Sequence, residues 1–196
     1  MSQNKNKVKF GLNNVHYAKI TGFSEDGTPT YAEPTRIHGA VSLSFDPTGE
    51  SENFYADNGV YYVINNNSGY EGELEIALIP TEFAKDILGE TLDSKGVLVE
   101  KNSAELSQFA LLFEFDGDKK KIRHVLYCCS ASRPKSESST TEEGKEVKTE
   151  TLSFKATPLA ESGIVKSKTC EETNETAYKD WYKAVYMPSE TDSALE

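Results

Sequence analysis

Glu114 and Asp116 are the residues whose spacing most invites a chemical reading. They stand two positions apart in an alternating apolar run, so on an extended strand both carboxylates share one face, about 6–7 Å apart, within reach of a glycosidase acid/base arrangement. Asp116 leads straight into Gly117, however, and Asp followed by Gly is ordinarily a solvated turn, so the structural reading of the pair is the stronger one. The histidines, His16, His38 and His124, are scattered, and His124 has basic neighbours rather than a ligand spacing. Three cysteines are an odd number, and Cys128 and Cys129, adjacent on a strand, point to opposite faces and are poorly placed to chelate one metal together. With Cys170 they read as small apolar residues. No P-loop, dinucleotide fingerprint, HExxH, CxxC or GxSxG occurs. Asn66-Asn67-Ser68 and Asn174-Glu175-Thr176 match the glycosylation pattern, which has no role without a secretory route. The expectation is a non-enzymatic protein with no catalytic residue, no metal site and no cofactor.

The elements that position these residues are strands. The chain has 196 residues, 32 acidic against 21 basic for a net charge of −11, and 37% apolar residues including 10 Tyr and 9 Phe. That size supports one or two small domains with a real core. A pI near 4.9 argues against a free-standing DNA-binding or anionic-membrane role, because neutralising phosphate needs clustered Lys and Arg. No apolar run approaches the roughly 18 residues of a membrane span or the shorter core of a signal peptide. No membrane association is expected, and the protein is expected to begin in a cytoplasm.

Val41, Leu43 and Phe45 alternate with Ala40, Ser42 and Ser44 in a half-buried strand that Asp46-Pro47 should stop. Leu74, Ile76 and Leu78 alternate with Glu71, Glu73 and Glu75, which places three carboxylates on one water-facing side. Between them, residues 46–69 are too long for a hairpin turn and too aromatic for a linker, which predicts a docking loop carrying Phe54, Tyr55, Tyr61, Tyr62 and Val63. A short helix is predicted from Thr81 to Leu88 and a weak strand from Val97 to Lys101. A hairpin joins Phe109–Phe115 to Lys121–Ser132, its first strand apolar on both faces and therefore central in a sheet. Residues 134–150 are nearly all polar and predict a mobile loop. Leu152, Phe154 and Ala156 mark a further strand, and Asn174 to Tyr186 switches to helical spacing before a flexible tail at residues 189–196. The whole reads as mainly β: a two-sheet antiparallel β-sandwich, one domain over residues 1–188, with a short flanking α-helix and a C-terminal helix.

The segments AVSLSFDP, FYADNGVYY, GYEGELEIALIP, FALLFEFDGDKKKIRHVLYCCSASRP and TETLSFKATP, taken in order over residues 5–188, resemble the major tail proteins of long, non-contractile-tailed bacteriophages. The resemblance implies a tail-tube protomer that closes into hexameric rings and stacks into a tube conducting DNA without binding it specifically. It also implies a homo-oligomer, a tape measure protein and a tail terminator as partners, and a place in the virion tail after assembly in the host cytoplasm. On this reading Glu71, Glu73 and Glu75 are candidate lumen residues, and Phe54, Tyr55, Tyr61, Tyr62 and Val63 candidate inter-subunit contacts. The alternative is a carbohydrate-binding or adhesin sandwich in which Tyr55, Tyr61 and Tyr62 form an aromatic platform.

Overall fold

The computed structural model describes residues 6–49, 51–136 and 147–188. The tail at 189–196 and the middle of the polar loop expected at 134–150 lie outside them. The protein is mainly β, with one large antiparallel sheet, two two-stranded sheets and two short helices. In chain order the strands of the large sheet are β1 (Lys9–Phe23), β2 (Pro29–Tyr31), β3 (Thr35–Arg36) and β4 (Ala40–Thr48). After the small hairpin of β5 (Ser51–Ala56) and β6 (Gly59–Asn65) come β7 (Gly69–Ile76), helix α1 (Thr81–Asp86), and the second small pair, β8 (Thr91–Leu92) and β9 (Leu98–Val99). β10 (Phe109–Gly117), β11 (Ile122–Ala131), β12 (Glu150–Thr157), β13 (Lys166–Lys168) and α2 (Glu175–Asp180) complete the chain. The large sheet runs β2-β1-β10-β11-β12-β7-β4, with β3 added to β1 and β13 to β11.

This sheet curls over its own inner face, because Phe45 on the terminal strand β4 meets Phe113 on β10 with ring centroids 5.7 Å apart. The curl gives the two facing layers of a β-sandwich from one continuous sheet. Phe109, Leu111, Phe113, Leu126, Leu74, Ile76, Leu152 and Phe154 fill the space between the layers. α1 adds Phe83 and Ala84, and the residues just past its end add Ile87 and Leu88, with the Phe83 ring edge-on to Tyr17 and Phe109. Gly72 makes the close approach of β4, β7 and β12 possible: a Cβ there would lie 2.4 Å from the Ser44 carbonyl oxygen and 2.7 Å from the Phe154 ring. A second core covers the outer face of β1, β10 and β11. Ala18, Ala110, Leu112, Val125 and Tyr127 pack there against Leu159 and Trp181. β10 is thus apolar on both faces and interior to the sheet, as its residue pattern requires.

Five details differ from expectation, each for a local reason. β4 continues through Asp46 and Pro47 to Thr48 because it is an edge strand, where the missing proline N–H faces outward and removes no ladder bond. Val41 is exposed although Leu43 and Phe45 pack inward, since a register shift between Ala40 and Ser42 puts Ala40 against the core instead. Leu78 is also exposed, because β7 ends at Ile76. Asp116 belongs to β10, and the turn occupies the residues after Gly117. The C-terminal helix is one short piece, Glu175–Asp180, capped by the Asn174 side chain accepting from the Ala177 N–H at 2.8 Å. A helix this short is held by packing rather than propensity, and it stops where Trp181 enters the second core and its indole N–H donates to the His124 carbonyl at 3.3 Å.

Candidate functional site

Residues 46–69, expected to be a docking loop, are instead the end of β4 followed by a β-hairpin arm. Its two central turn residues, Asp57 and Asn58, both adopt positive φ (51° and 61°), the signature of a type I′ turn, whose twist matches that of the flanking strands. Asp and Asn tolerate that conformation better than other side-chain-bearing residues. The signal was present in the sequence as Ala-Asp-Asn-Gly between two aromatic runs. In register, Phe54 faces Tyr62 on one side of the arm, while Tyr55 with Val60 and Asn53 with Val63 share the other. Tyr61 is the extra residue of a bulge between the Phe54 and Tyr55 pairings. Phe54, Tyr55, Val60, Tyr61, Tyr62 and Val63 are between 43% and 72% exposed. All five residues assigned to an inter-subunit loop therefore stand together on one projecting element, with Val60 joining them.

Glu71, Glu73 and Glu75 lie on the outer face of β7, opposite the buried Leu74 and Ile76. The flanking strands present small polar groups there: Ser44 and Ser153 flank Glu73, and Asp46 stands directly across from Glu71. Asp46 thus extends the acidic row, a contribution foreshadowed by the Ser42, Ser44, Asp46 alternation on β4. On its other side Glu71 pairs with Lys155 at 2.5 Å, the register partner on β12. Glu75 accepts hydrogen bonds from the hydroxyls of Thr149 and Ser42 at 2.7 and 2.8 Å, and these hold its carboxyl below the usual range. The outcome is a shallow, open, hydrophilic dish lined by Ser44, Asp46, Glu71, Glu73, Ser153 and Lys155.

Glu114, by contrast, is fully buried. Its carboxylate accepts from Lys121 at 3.0 Å, from Arg123 Nε at 3.3 Å and from the Asn14 amide at 2.8 Å. Asp116 shares Lys121 at 3.2 Å. The Arg123 guanidinium lies over the Tyr178 ring, 4.0 Å from its centroid, and near Tyr182, and donates to the Tyr178 carbonyl. A glycosidase pair must reach a bridging oxygen of substrate. Here the carboxylate is enclosed by its own cations, and the cluster ties the C-terminal segment to the sheet. Burial lowers the affinity of His16 for a proton, and its ring lies 4.5 Å from that of Tyr182, tilted by 30°. His124 stacks on Phe113 at 5.0 Å, and burial, with Lys168, Lys166 and Lys9 nearby, pushes its pKa down to about 4. Cys128 and Cys129 are buried and Cys170 exposed, and burial pushes the Cys129 thiol up. Among the described residues no group of three or more His, Cys, Asp or Glu is arranged to hold a metal ion.

No family model matches the chain, and no curated protein matches it. Among solved structures the chain is similar to the tube-terminating cap of the anti-feeding prophage, determined by cryo-electron microscopy. The two share 7% sequence identity at a TM-score of 0.46, over 86% of this chain and 97% of that one.

Proposed function

We propose that this chain is a structural virion protein that polymerises through its β5–β6 arm, as stacked hexameric rings, into the tube of a phage tail. The tube is the conduit for genome DNA during ejection. The observation that carries this reading is the arm itself. A two-stranded hairpin is marginal alone in water, and this one holds six large apolar groups exposed, an arrangement that favours burial against another chain. The acidic dish fits the wall of a conduit. In about 0.15 M salt charges act over about 8 Å, so carboxylates there repel only DNA passing close by and give it nothing to stick to. A clamp that grips DNA needs the opposite sign. The tape measure protein and tail terminator follow as partners from the resemblance of the sequence segments.

Negative-stain microscopy of the purified chain tests the proposal, with rings or tubes as the expected result. Ser51 and Asn65 pair directly across the base of the arm, so residues 51–65 can be replaced by a two-residue turn. That deletion is expected to leave a folded monomer that makes no tubes. Tubes of normal length from the deleted chain would remove the arm from assembly. A wild-type chain that stays monomeric and binds glycan through Tyr55, Tyr61 and Tyr62 would overturn the proposal in favour of a carbohydrate-binding sandwich.

A further inference from the structure

We infer that the arm of one copy seats on a particular corner of a second copy, formed by the foot of β1 and the β10–β11 turn; this rests on the assembly reading above and names the surface the arm meets. The corner is one continuous patch. Lys9 pairs with Gly117 across β1 and β10, and the Asn6 side chain holds the turn by accepting from the Lys119 and Lys120 N–H groups, each at 2.9 Å. It exposes two apolar side chains, Val8 at 51% and Phe10 at 62%, among Lys7, Lys9, Lys119, Lys120 and Lys121. The carboxylates nearby leave the corner net positive. Lys121 is taken up by Glu114 and Asp116 at 3.0 and 3.2 Å, and the exposed, charged Asp118, which accepts from the Lys7 backbone N–H at 2.8 Å, stands alone against Lys7, Lys9, Lys119 and Lys120.

The arm is the chemical complement of that corner. Between residues 51 and 65 the chain has no Lys or Arg, and its charged residues are Glu52 and Asp57. Its exposed surface is otherwise aromatic and aliphatic, so docking would bury Phe10 and Val8 against the arm while lysines reach its ring faces. The corner lysines already behave this way within their own chain, Lys9 over Phe115 and Lys120 over Tyr178, at 5.1 and 4.2 Å from the ring centroids. A competing apolar stretch, with Leu92, Val97 and Leu106 exposed, carries Glu90, Asp93, Glu100 and Glu105 against Lys95, Lys101 and Arg133, the last paired with Glu100 at 2.5 Å, and so offers an acidic tip no net attraction. Arm and corner are both exposed on the same chain, so the arm does not fold back on its own corner. Two different patches meeting head to tail make a heterologous contact, which propagates into a closed ring or a filament.

Cross-linking in trans tests this. With Cys170→Ser in the background, full-length chains bearing Phe10→Cys and, separately, Tyr61→Cys are mixed under assembly conditions and oxidised. The mixture is expected to give at least tenfold more disulfide dimer than either chain alone. Independently, Lys7→Glu with Lys119→Glu is expected to raise the concentration needed for assembly at least tenfold with an unchanged circular dichroism spectrum. If wild-type chains assemble but the mixture cross-links no better than its components and the charge reversal leaves that threshold unmoved, the arm seats elsewhere. The corner assignment then fails while the polymer reading stands. If wild-type chains never associate, both fall.

Discussion

The β10–β11 and β5–β6 hairpins each carry apolar residues on both faces of tightly paired strands, yet Phe109, Leu111, Leu112 and Phe113 are buried while Phe54, Tyr55, Tyr61 and Tyr62 are exposed. In the first hairpin every apolar face has an owner within the chain. One side of β10 meets α1 and the returning strand β4, and the other meets the segment that carries Trp181. Among the described residues of the second hairpin, Phe54, Tyr55, Val60, Tyr61, Tyr62 and Val63 leave both faces exposed. Residue pattern reports how many faces of a strand want cover. It does not report whether the cover comes from the same molecule, and on the proposed reading this difference separates core from interface.

The largest expected effect breaks the comparison on its buried side. Phe113→Ala is expected to cost about 3–5 kcal/mol in denaturant unfolding, as large-to-small changes in a filled core do. The same truncation on the arm, Phe54→Ala, is expected to cost the monomer under about 1 kcal/mol, since its ring is 57% exposed and loses chiefly its cross-strand contact with Tyr62, while sharply reducing assembly measured by sedimentation. Equal losses from the two variants would mean that the arm belongs to the protomer's own fold.

A smaller effect comes from His124, stacked on Phe113 at the buried hairpin. Its folded pKa of about 4 lies below the ordinary value near 6.5, so as pH falls the unfolded chain takes up a proton that the folded chain refuses. The stability that neutral His124 preserves is fully present above about pH 6.5 and is lost between there and pH 4, by about 2–3 kcal/mol. His124→Phe is expected to flatten the stability profile across that window. An unchanged slope would assign the pH dependence to other groups.

The strands with clean alternation were legible: Leu74 and Ile76 on β7, Leu152, Phe154 and Ala156 on β12, and both faces of β10. β1 was not, although at 15 residues it is the longest strand. Register shifts on either side of Leu12 and Asn13, with Asn14 at a φ of 48°, twice reverse which residues point inward and erase the period of two. β3 and β13 were hidden for another reason: two or three residues long, they exist because an edge of β1 or β11 is there to pair with. At the candidate site the residue types identified the arm and the acidic row. The Asp57-Asn58 turn was hidden because 24 residues separate the two flanking core strands, a length that reads as a loop and masks the two-residue turn at its middle.

The last contrast is between the arm and the acidic dish, which on the proposed reading are a surface that assembles and one that assembly leaves wet. Charge reversal of Glu71, Glu73 and Glu75 to Lys is expected to leave the protomer's unfolding midpoint close to that of the wild type. The substitutions lie on an exposed face, where the Glu71–Lys155 pair and the Glu75 hydrogen bonds are solvent-screened. Tubes should still form, because the arm and the core of β7 are untouched. Each protomer then swings by six charge units, and if β7 lines the bore its wall should change from repelling DNA to holding it. Purified triple-mutant tubes are expected to retain DNA in a way that falls steeply with added salt, and virions that carry them to deliver their genome poorly. Normal delivery, or DNA held on the outer surface alone, would mean that β7 turns away from the bore. Arm-driven assembly would survive that result, since the arm and the dish share no residue.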